Sequence, residues 1–241
     1  MFVLPAFALA NTAVELQHIK ADASNKESLQ NGAKMYVNYC MGCHSLKYMR
    51  FERLADDLGI PHDMAQEYLS PVGKSVAGSD AKKIGELMTI AAPEKMQKRW
   101  FGVVPPDLTL VTRARGGPDW VYTYLMSFYK DDSRPYGVNN KVFKDVGMPH
   151  VLADLQGTQE CDVHLDEHGN KHVGACEITK SGAMTKTEYE VAVYDLVNFL
   201  DYAAEPSKSK REGMGLWVLL YVLVFIIVAV ILNNEYWKDV H

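Results

Sequence analysis

The chain has 241 residues, with 30 acidic and 25 basic side chains and a formal net charge of −5. This length can bury one sizeable core with accessory segments. The acidic balance argues against a nucleic-acid partner.

The chain opens with an apolar segment, Met1 to Ala10, that ends in small residues of the A-x-A kind. This pattern is typical of the end of a secretory signal peptide. We expect residues 1–10 to be a signal remnant cleaved after Ala10, and a buried N-terminal strand is the alternative. Export would permit a disulfide elsewhere in the chain.

A helix is predicted from Asn25 to Tyr39, because Ser24 and Glu27 can form a capping box and apolar residues recur on one face. Tyr36 lies on that face and is predicted to pack against another helix. This helix leads directly into the most informative motif of the chain.

That motif is Cys40-Met41-Gly42-Cys43-His44. Two cysteines three positions apart, followed at once by histidine, are typical of a c-type haem attachment site. Each thiol bonds to one haem vinyl group, and the histidine binds the iron. Zinc would need further ligands, and a thioredoxin-like redox pair would need a βαβ setting. We therefore predict one covalent haem c, attached at Cys40 and Cys43 and ligated by His44.

The next segment, Ser45 to Gly59, is predicted to be a second helix that stops at Gly59-Ile60-Pro61. Residues 62–100 mix short helical runs with proline and glycine, and their role is not evident. A further helical run is predicted from Asp119 to Tyr129.

Between these segments lies Val-Val-Pro-Pro-Asp-Leu-Thr, followed by Arg-Ala-Arg-Gly-Gly. Pro105 and Pro106 fix an extended backbone that can lie against a flat macrocycle, and Asp107 can cap the next helix. Haem propionates favour a guanidinium partner. Arg113 and Arg115 are the candidates, and we place Arg115 with Pro105 and Pro106 among the cofactor-binding residues.

A second axial ligand to the iron has three candidates. Met148 lies in a Gly-Met-Pro loop, where glycine permits close approach and proline fixes the chain beyond. Met184 precedes a predicted capping box of Thr185 and Glu188, and His150 is the third candidate. A thioether ligand raises the reduction potential relative to a second histidine.

Cys161 and Cys176 bracket a predicted hairpin with a turn around His168. A disulfide between them is favoured in an exported protein. The alternative is a metal site, because His164, His168 and His172 are spaced four apart.

The C-terminal part contains a predicted helix from Glu188 to Ala203 and then an uncharged segment, Gly213 to Asn234. The 19 residues from Met214 to Leu232 would span about 28 Å as a helix, which matches the bilayer core. We predict that residues 213–234 are a transmembrane anchor.

Basic residues are more numerous before this span than after it, which by the positive-inside rule favours a cytoplasmic location for the preceding side. A long domain exported by a signal sequence translocates largely regardless of such charges. We therefore expect residues 11–207 in the periplasm, residues 235–241 in the cytoplasm, and the anchor in the bacterial inner membrane.

The order of six features resembles the cytochrome c1 family, the haem c subunits of bacterial cytochrome bc1 complexes, over about residues 28–237. The features are CxxCHS (residues 40–45), PPDLT (105–109), RARGG (113–117), Gly-Met-Pro (147–149), AAEP (203–206) and the terminal apolar segment. The resemblance implies a mainly α fold: a cytochrome c-type haem domain with inserted loops plus one C-terminal transmembrane helix. It also implies that the helix before the haem motif crosses the last helix of the domain, and that Met148 occupies the ligand position.

The resemblance further implies an electron-transfer subunit that is not an enzyme on its own. It would accept electrons from the Rieske iron-sulfur protein, pass them to a soluble periplasmic cytochrome c, and pack its anchor against cytochrome b in a dimeric complex. One alternative is a haem c subunit of a terminal oxidase or a membrane-tethered carrier. Another is an enzyme or sensor whose iron binds peroxide or a gas at an open sixth position.

Overall fold

The computed structural model describes residues 14–69, 83–165 and 171–239. The chain divides into two compact units, with the boundary between Ala204 and Glu205. The predicted signal remnant, residues 1–10, lies outside the described residues. Helices dominate the described part of the chain, with a small amount of sheet, so the mainly α prediction is confirmed.

Helices form most of the first unit. They are α1 (Lys26–Met35), α2 (Phe51–Leu58), α3 (His62–Met64), α4 (Glu94–Phe101), α5 (Val111–Ala114), α6 (Pro118–Met126), α7 (Ala153–Gln156) and α8 (Lys186–Ala204). Two of them continue as π-helical turns, α1 over Tyr36–Cys40 and α3 over Ala65–Leu69.

The strands pair into short antiparallel ladders. The pairs are β1 (Leu46–Arg50) with β2 (Leu87–Met88), β3 (Phe128–Lys130) with β4 (Val138–Asn140), and β5 (Gly157–Leu165) with β6 (Lys171–Ser181). The last pair is the hairpin predicted from the sequence. Cys161 and Cys176 face each other in its register and form a disulfide.

Two helix predictions are partly wrong. The segment from Ser45 to Gly59 begins as strand β1, because it pairs with β2, and only its second half is helical. That half, α2, ends at Gly59 in the left-handed conformation (φ 71°). The run from Asp119 to Tyr129 ends as a helix at Met126, because the residues beyond it enter β3.

The cap of α1 also differs from the prediction. Asn25, not Ser24, is the N-cap, and its side-chain oxygen accepts a hydrogen bond from the Ser28 N–H (3.1 Å). Ser24 instead donates to Asp22 Oδ1 (2.6 Å). By contrast, the capping box predicted for α8 is confirmed, because the Thr185 N–H donates to Glu188 Oε2 (2.8 Å).

The core of the first unit is built on the packing of α1 against α8, as the family resemblance implied. Gly32 lies at the closest approach, where a Cβ atom would clash with the backbone of Asp195. Beside it, Ser28 Oγ donates to Asp195 Oδ1 (2.6 Å). The Tyr36 and Phe199 rings pack with centroids 5.8 Å apart. This packing fixes the direction in which α1 enters the haem motif.

The second unit is α9 (Lys208–Tyr236), a helix of 29 residues that contains the predicted anchor segment. It is the one helix among the described residues that is long and apolar enough to cross a membrane. Its apolar side chains from Met214 to Leu232 are exposed. Such a surface is stable in lipid and costly in water.

Candidate haem site

The π-helical turn at the end of α1 shapes the Cys-x-x-Cys-His segment. The Met41 N–H donates to the Tyr36 carbonyl (2.8 Å), and the Cys43 and His44 N–H groups both donate to the Cys40 carbonyl (3.0 and 2.9 Å). One turn therefore carries both thiols and the imidazole. Cys40 is buried, Cys43 is half-buried, and neither is in a disulfide.

Tyr36 stabilises this turn through a hydrogen bond to its backbone. Its ring is fully buried, as predicted, and its hydroxyl donates to the His44 carbonyl oxygen (2.6 Å). The sequence predicted the packing but not the hydrogen bond. Because a buried carbonyl without a partner is unfavourable, this bond helps to fix the backbone of the histidine.

The orientation of the His44 ring is set by the Pro-Pro segment. His44 Nδ1 lies 2.7 Å from the Pro106 carbonyl oxygen. A carbonyl can only accept, so Nδ1 carries the proton and Nε2 keeps the lone pair that binds iron. Pro106 therefore contributes its backbone oxygen to the site. Pro105 is the preceding residue of the same segment.

The two segments are joined by further hydrogen bonds. The Leu108 N–H donates to the Ser45 carbonyl (2.9 Å), and the Lys47 N–H donates to Asp107 Oδ2 (2.8 Å). Asp107 Oδ1 accepts from the Thr109 N–H (3.0 Å). The prediction that Asp107 caps the next helix is wrong, because both carboxylate oxygens hold the loop and the strand instead.

Burial favours the neutral forms of the His44 imidazole and the Cys40 thiol. Burial lowers the pKa of His44, against the opposing effects of the Pro106 carbonyl and Asp107. Burial, with a smaller effect from Cys43, raises the pKa of the Cys40 thiol to about 12. A neutral imidazole is the form that binds a metal.

The candidate axial methionine, Met148, is half-buried. The Tyr124 hydroxyl donates to its sulfur (3.4 Å). Burial raises the pKa of Tyr124, against the effect of Arg115. No local sequence pattern predicts this contact, because α6 and the Met148 loop meet only in the folded chain.

Two adjacent asparagines hold the loop that leads to Met148. Asn140 Oδ1 accepts from the Val142 and Phe143 N–H groups (2.9 and 3.1 Å), and Asn139 Oδ1 accepts from the Asp145 N–H (2.9 Å). Asp145 has a positive φ of 61°. Asparagine side chains stabilise turns by such local bonds. The Asn-Asn pair was therefore the sequence signal from which a structured turn before Met148 could have been predicted.

The two rival ligands are engaged elsewhere. Met184 packs against the hydrophobic core, and its N–H donates to the Leu155 carbonyl (3.1 Å). His150 Nε2 lies 2.7 Å from Gln156 Oε1, and its ring stacks on Phe128 with centroids 4.8 Å apart. The identity of the second ligand, with Met148 as the candidate that the family resemblance implies, stays a prediction.

Arg115 joins the Met148 side of the site. Its guanidinium lies 5.7 Å from the ring centroids of both Trp120 and Phe143. Trp120 in turn stacks on Tyr124, with centroids 5.1 Å apart. Arg115 and Met148 are therefore linked through two aromatic rings on α6.

The structure thus assembles two groups of predicted residues. One contains Cys40, Cys43, His44 and Pro106, and the other contains Arg115 and Met148. Both groups adjoin the same hydrophobic core. Near the first group, Leu108 and Val111 pack against this core; near the second, Trp120 and Tyr124 do so. The contacts described above are within each group, and the core connects them.

The available donors fit a haem c. Two free thiols have the required spacing, one imidazole has its Nε2 available, and one thioether lies on a braced loop. In the hairpin, His164 and His172 face each other across the strands, whereas His168 lies outside the described residues. Within residues 14–69, 83–165 and 171–239, no three His, Cys, Asp or Glu side chains are grouped as a metal-ion site.

A Cys-x-x-Cys-His turn on a mainly α-helical domain, followed by a long apolar helix, defines the class of c-type cytochromes with a C-terminal anchor. The model of the Cytochrome C1 family matches residues 18–167 and 177–240. The interruption falls in the β5–β6 hairpin.

Individual relatives agree with this match. Cytochrome c1 from Allochromatium vinosum is 48% identical over 100% of this chain and 96% of its own length. A protein named ammonia monooxygenase gamma subunit, from Nitrosomonas europaea, is 43% identical over 95% of this chain and 90% of its own length. Cytochrome c1 from Rhodobacter capsulatus is 24% identical over 88% and 83%, respectively.

The chain belongs to the cytochrome c1 family, the haem-bearing electron-transfer subunits of bc1 complexes. Family membership implies a haem c cofactor. Together with α9, it indicates a membrane-anchored protein.

Proposed function

We propose that this chain carries one covalent haem c, attached at Cys40 and Cys43 and ligated by His44 and Met148, as the electron-transfer subunit of a respiratory bc1 complex. The observation that carries the proposal is the His44 Nδ1 to Pro106 carbonyl hydrogen bond, which leaves Nε2 available for iron. Haem c, when bound, supplies a one-electron couple between ferric and ferrous iron.

The chain's own residues then hold and tune that couple. Tyr36 and Pro106 fix the backbone and the ring of His44. The Met148 thioether raises the reduction potential relative to a second histidine. Arg115 supplies positive charge for a propionate, because a guanidinium forms strong hydrogen bonds with carboxylates.

The proposed partners follow from the family. The haem domain, residues 11–207, lies in the periplasm, accepts an electron from the Rieske iron-sulfur protein and passes it to a soluble cytochrome c. Residues 213–234 cross the inner membrane and pack against cytochrome b in a dimeric complex, with residues 235–241 in the cytoplasm. The exposed apolar surface of α9 supports the anchor.

The test is purification of the tagged full chain from membranes in mild detergent, followed by identification of the co-purifying subunits. We expect cytochrome b and the Rieske protein, haem reduction by added quinol, and reoxidation by oxidised soluble cytochrome c. A variant with Cys40→Ser and Cys43→Ser, which cannot attach haem, is the control for the optical signal.

Other outcomes would contradict the proposal. Recovery with a terminal oxidase core would favour the oxidase-subunit alternative. Recovery with ammonia monooxygenase subunits would indicate that this chain is a subunit of that enzyme, as the name of the Nitrosomonas europaea relative states. Carbon monoxide binding to the reduced haem would indicate an open sixth position and a gas- or peroxide-binding function.

A further inference from the structure

Tyr124 is neither an attachment residue nor an iron ligand in the proposed function, but it contacts the proposed ligand Met148. The Tyr124 hydroxyl donates to the Met148 sulfur at 3.4 Å. A thioether sulfur is a weak acceptor with two lone pairs. One lone pair can bind iron while the other accepts the tyrosine proton, so this contact is compatible with ligation.

The Tyr124 ring is fixed in position. Trp120 stacks on it with an interplanar angle of 10°, and Phe128 meets it edge-on with centroids 5.1 Å apart. Its backbone carbonyl accepts from Asn140 Nδ2 (2.7 Å) and from the Ser127 N–H (3.3 Å). The direction of the hydroxyl is therefore set by the stacked Trp120 ring, the edge contact with Phe128 and the hydrogen bonds to the backbone carbonyl.

Asn140, which bonds the Tyr124 carbonyl, also holds the loop that carries the acceptor, the Met148 sulfur. Asn140 is buried, and its side-chain oxygen binds the Val142 and Phe143 N–H groups at the start of the Met148 loop. Its side-chain nitrogen binds Tyr124. A single side chain thus connects the end of α6, which carries the donor, to the loop that carries the acceptor.

We propose that Tyr124 is a positioning residue for the Met148 thioether and that its hydrogen bond raises the reduction potential of the haem. This inference rests on the proposed function, because it requires Met148 to be the iron ligand. A hydrogen-bond donor withdraws electron density from the sulfur, and ferric iron depends more on that density than ferrous iron does. Hydrogen bonds to ligands are a recognised control of metal-site properties.

The expected effect is small but measurable. One neutral hydrogen bond shifts an equilibrium by about twofold to tenfold. Tyr124→Phe removes the hydroxyl and keeps the ring, so the oxidised form should become favoured by that factor. For a one-electron couple, tenfold corresponds to about 59 mV.

The experiment is an optical redox titration of the full-length haem-loaded chain in detergent, comparing native protein with Tyr124→Phe. Tyr189→Phe is the matched control, because Tyr189 is buried and its hydroxyl donates to the Leu125 carbonyl (3.1 Å). The same change is also made in a Met148→Leu background. We expect Tyr124→Phe, and not Tyr189→Phe, to favour the oxidised form by about twofold to tenfold, with no effect when Met148 is absent.

Two results would overturn the inference while leaving the proposed ligand intact. One is a Tyr124→Phe potential and sulfur-to-iron charge-transfer band equal to those of Tyr189→Phe. The other is an equal shift in the native and Met148→Leu backgrounds. If Met148→Leu itself changes neither the band nor the potential, Met148 is not the ligand, and the failure lies in the proposed function.

Discussion

Replacing Gly32 with alanine tests the packing that directs α1 into the haem motif. On helix propensity alone, alanine in place of an internal glycine should stabilise the protein by about 1 kcal/mol. At Gly32, however, the added Cβ would clash with the Asp195 carbonyl and lie 2.5 Å from Phe199 Cβ. Neither atom can rotate away, so α1 and α8 must separate.

Overpacking of this kind costs about 1–3 kcal/mol, and occasionally more. Separating the helices also weakens the bond from Ser28 to the Asp195 carboxylate (2.6 Å), which is worth about 1.5–3 kcal/mol as a bond to a charged group. The cost exceeds the propensity gain, so we expect a net loss of about 2–4 kcal/mol. For a chain of this size, that lowers the melting temperature by about 4–16 °C.

The assay is thermal unfolding of the detergent-solubilised chain followed by circular dichroism. Gly85→Ala is the control, because its added Cβ would meet only Glu52 Oε2, at 3.7 Å. A Gly32→Ala protein as stable as the native chain, or more stable, would refute the close packing of α1 and α8.

Three further predictions concern single side chains outside that contact. Tyr36→Phe leaves the His44 carbonyl without its donor and should cost about 1–3 kcal/mol of unfolding free energy; an unchanged denaturation midpoint would contradict this. Burial alone would raise the pKa of Asp131, but hydrogen bonds from neighbouring side chains lower it below its ordinary value of 3.8. Because the folded-state pKa lies below the unfolded one, the stability that Asp131 contributes is fully present above about pH 4 and is lost as pH falls through the lowered pKa. Asp131→Asn should therefore reduce stability at neutral pH and flatten its decline in acid, as measured by urea unfolding across pH; an unaltered pH profile would oppose this. Finally, Cys161→Ser opens the disulfide to Cys176, which closes a loop of separation 15, and should cost about 3 kcal/mol; reductant should then destabilise the native chain but not the variant.

Local sequence signals predicted the long helices and the haem motif. The α8 helix could be predicted from sequence because its capping box and apolar periodicity lie within a few residues of each other. The Cys-x-x-Cys-His segment could be identified because haem attachment chemistry requires fixed spacing. The apolar length of α9 is likewise a property of one continuous segment.

Contacts between distant segments caused the error at strand β1 and made two contacts of the site unpredictable from sequence. Leu46–Arg50 becomes a strand because it pairs with Leu87–Met88, which a short apolar pattern cannot reveal. The bonds from His44 to Pro106 and from Tyr124 to Met148 join residues far apart in the chain. Both use atoms that residue type alone does not single out, a backbone carbonyl in one case and a weak sulfur acceptor in the other.

The most direct test of the whole account is an optical redox titration of the haem-loaded chain, comparing Met148→Leu with Met184→Leu. We expect that only Met148→Leu lowers the reduction potential and removes the sulfur-to-iron band, because Met184 packs against the core. If Met184→Leu has that effect and Met148→Leu does not, the proposed ligand pair is wrong and the electron-transfer site must be reassigned.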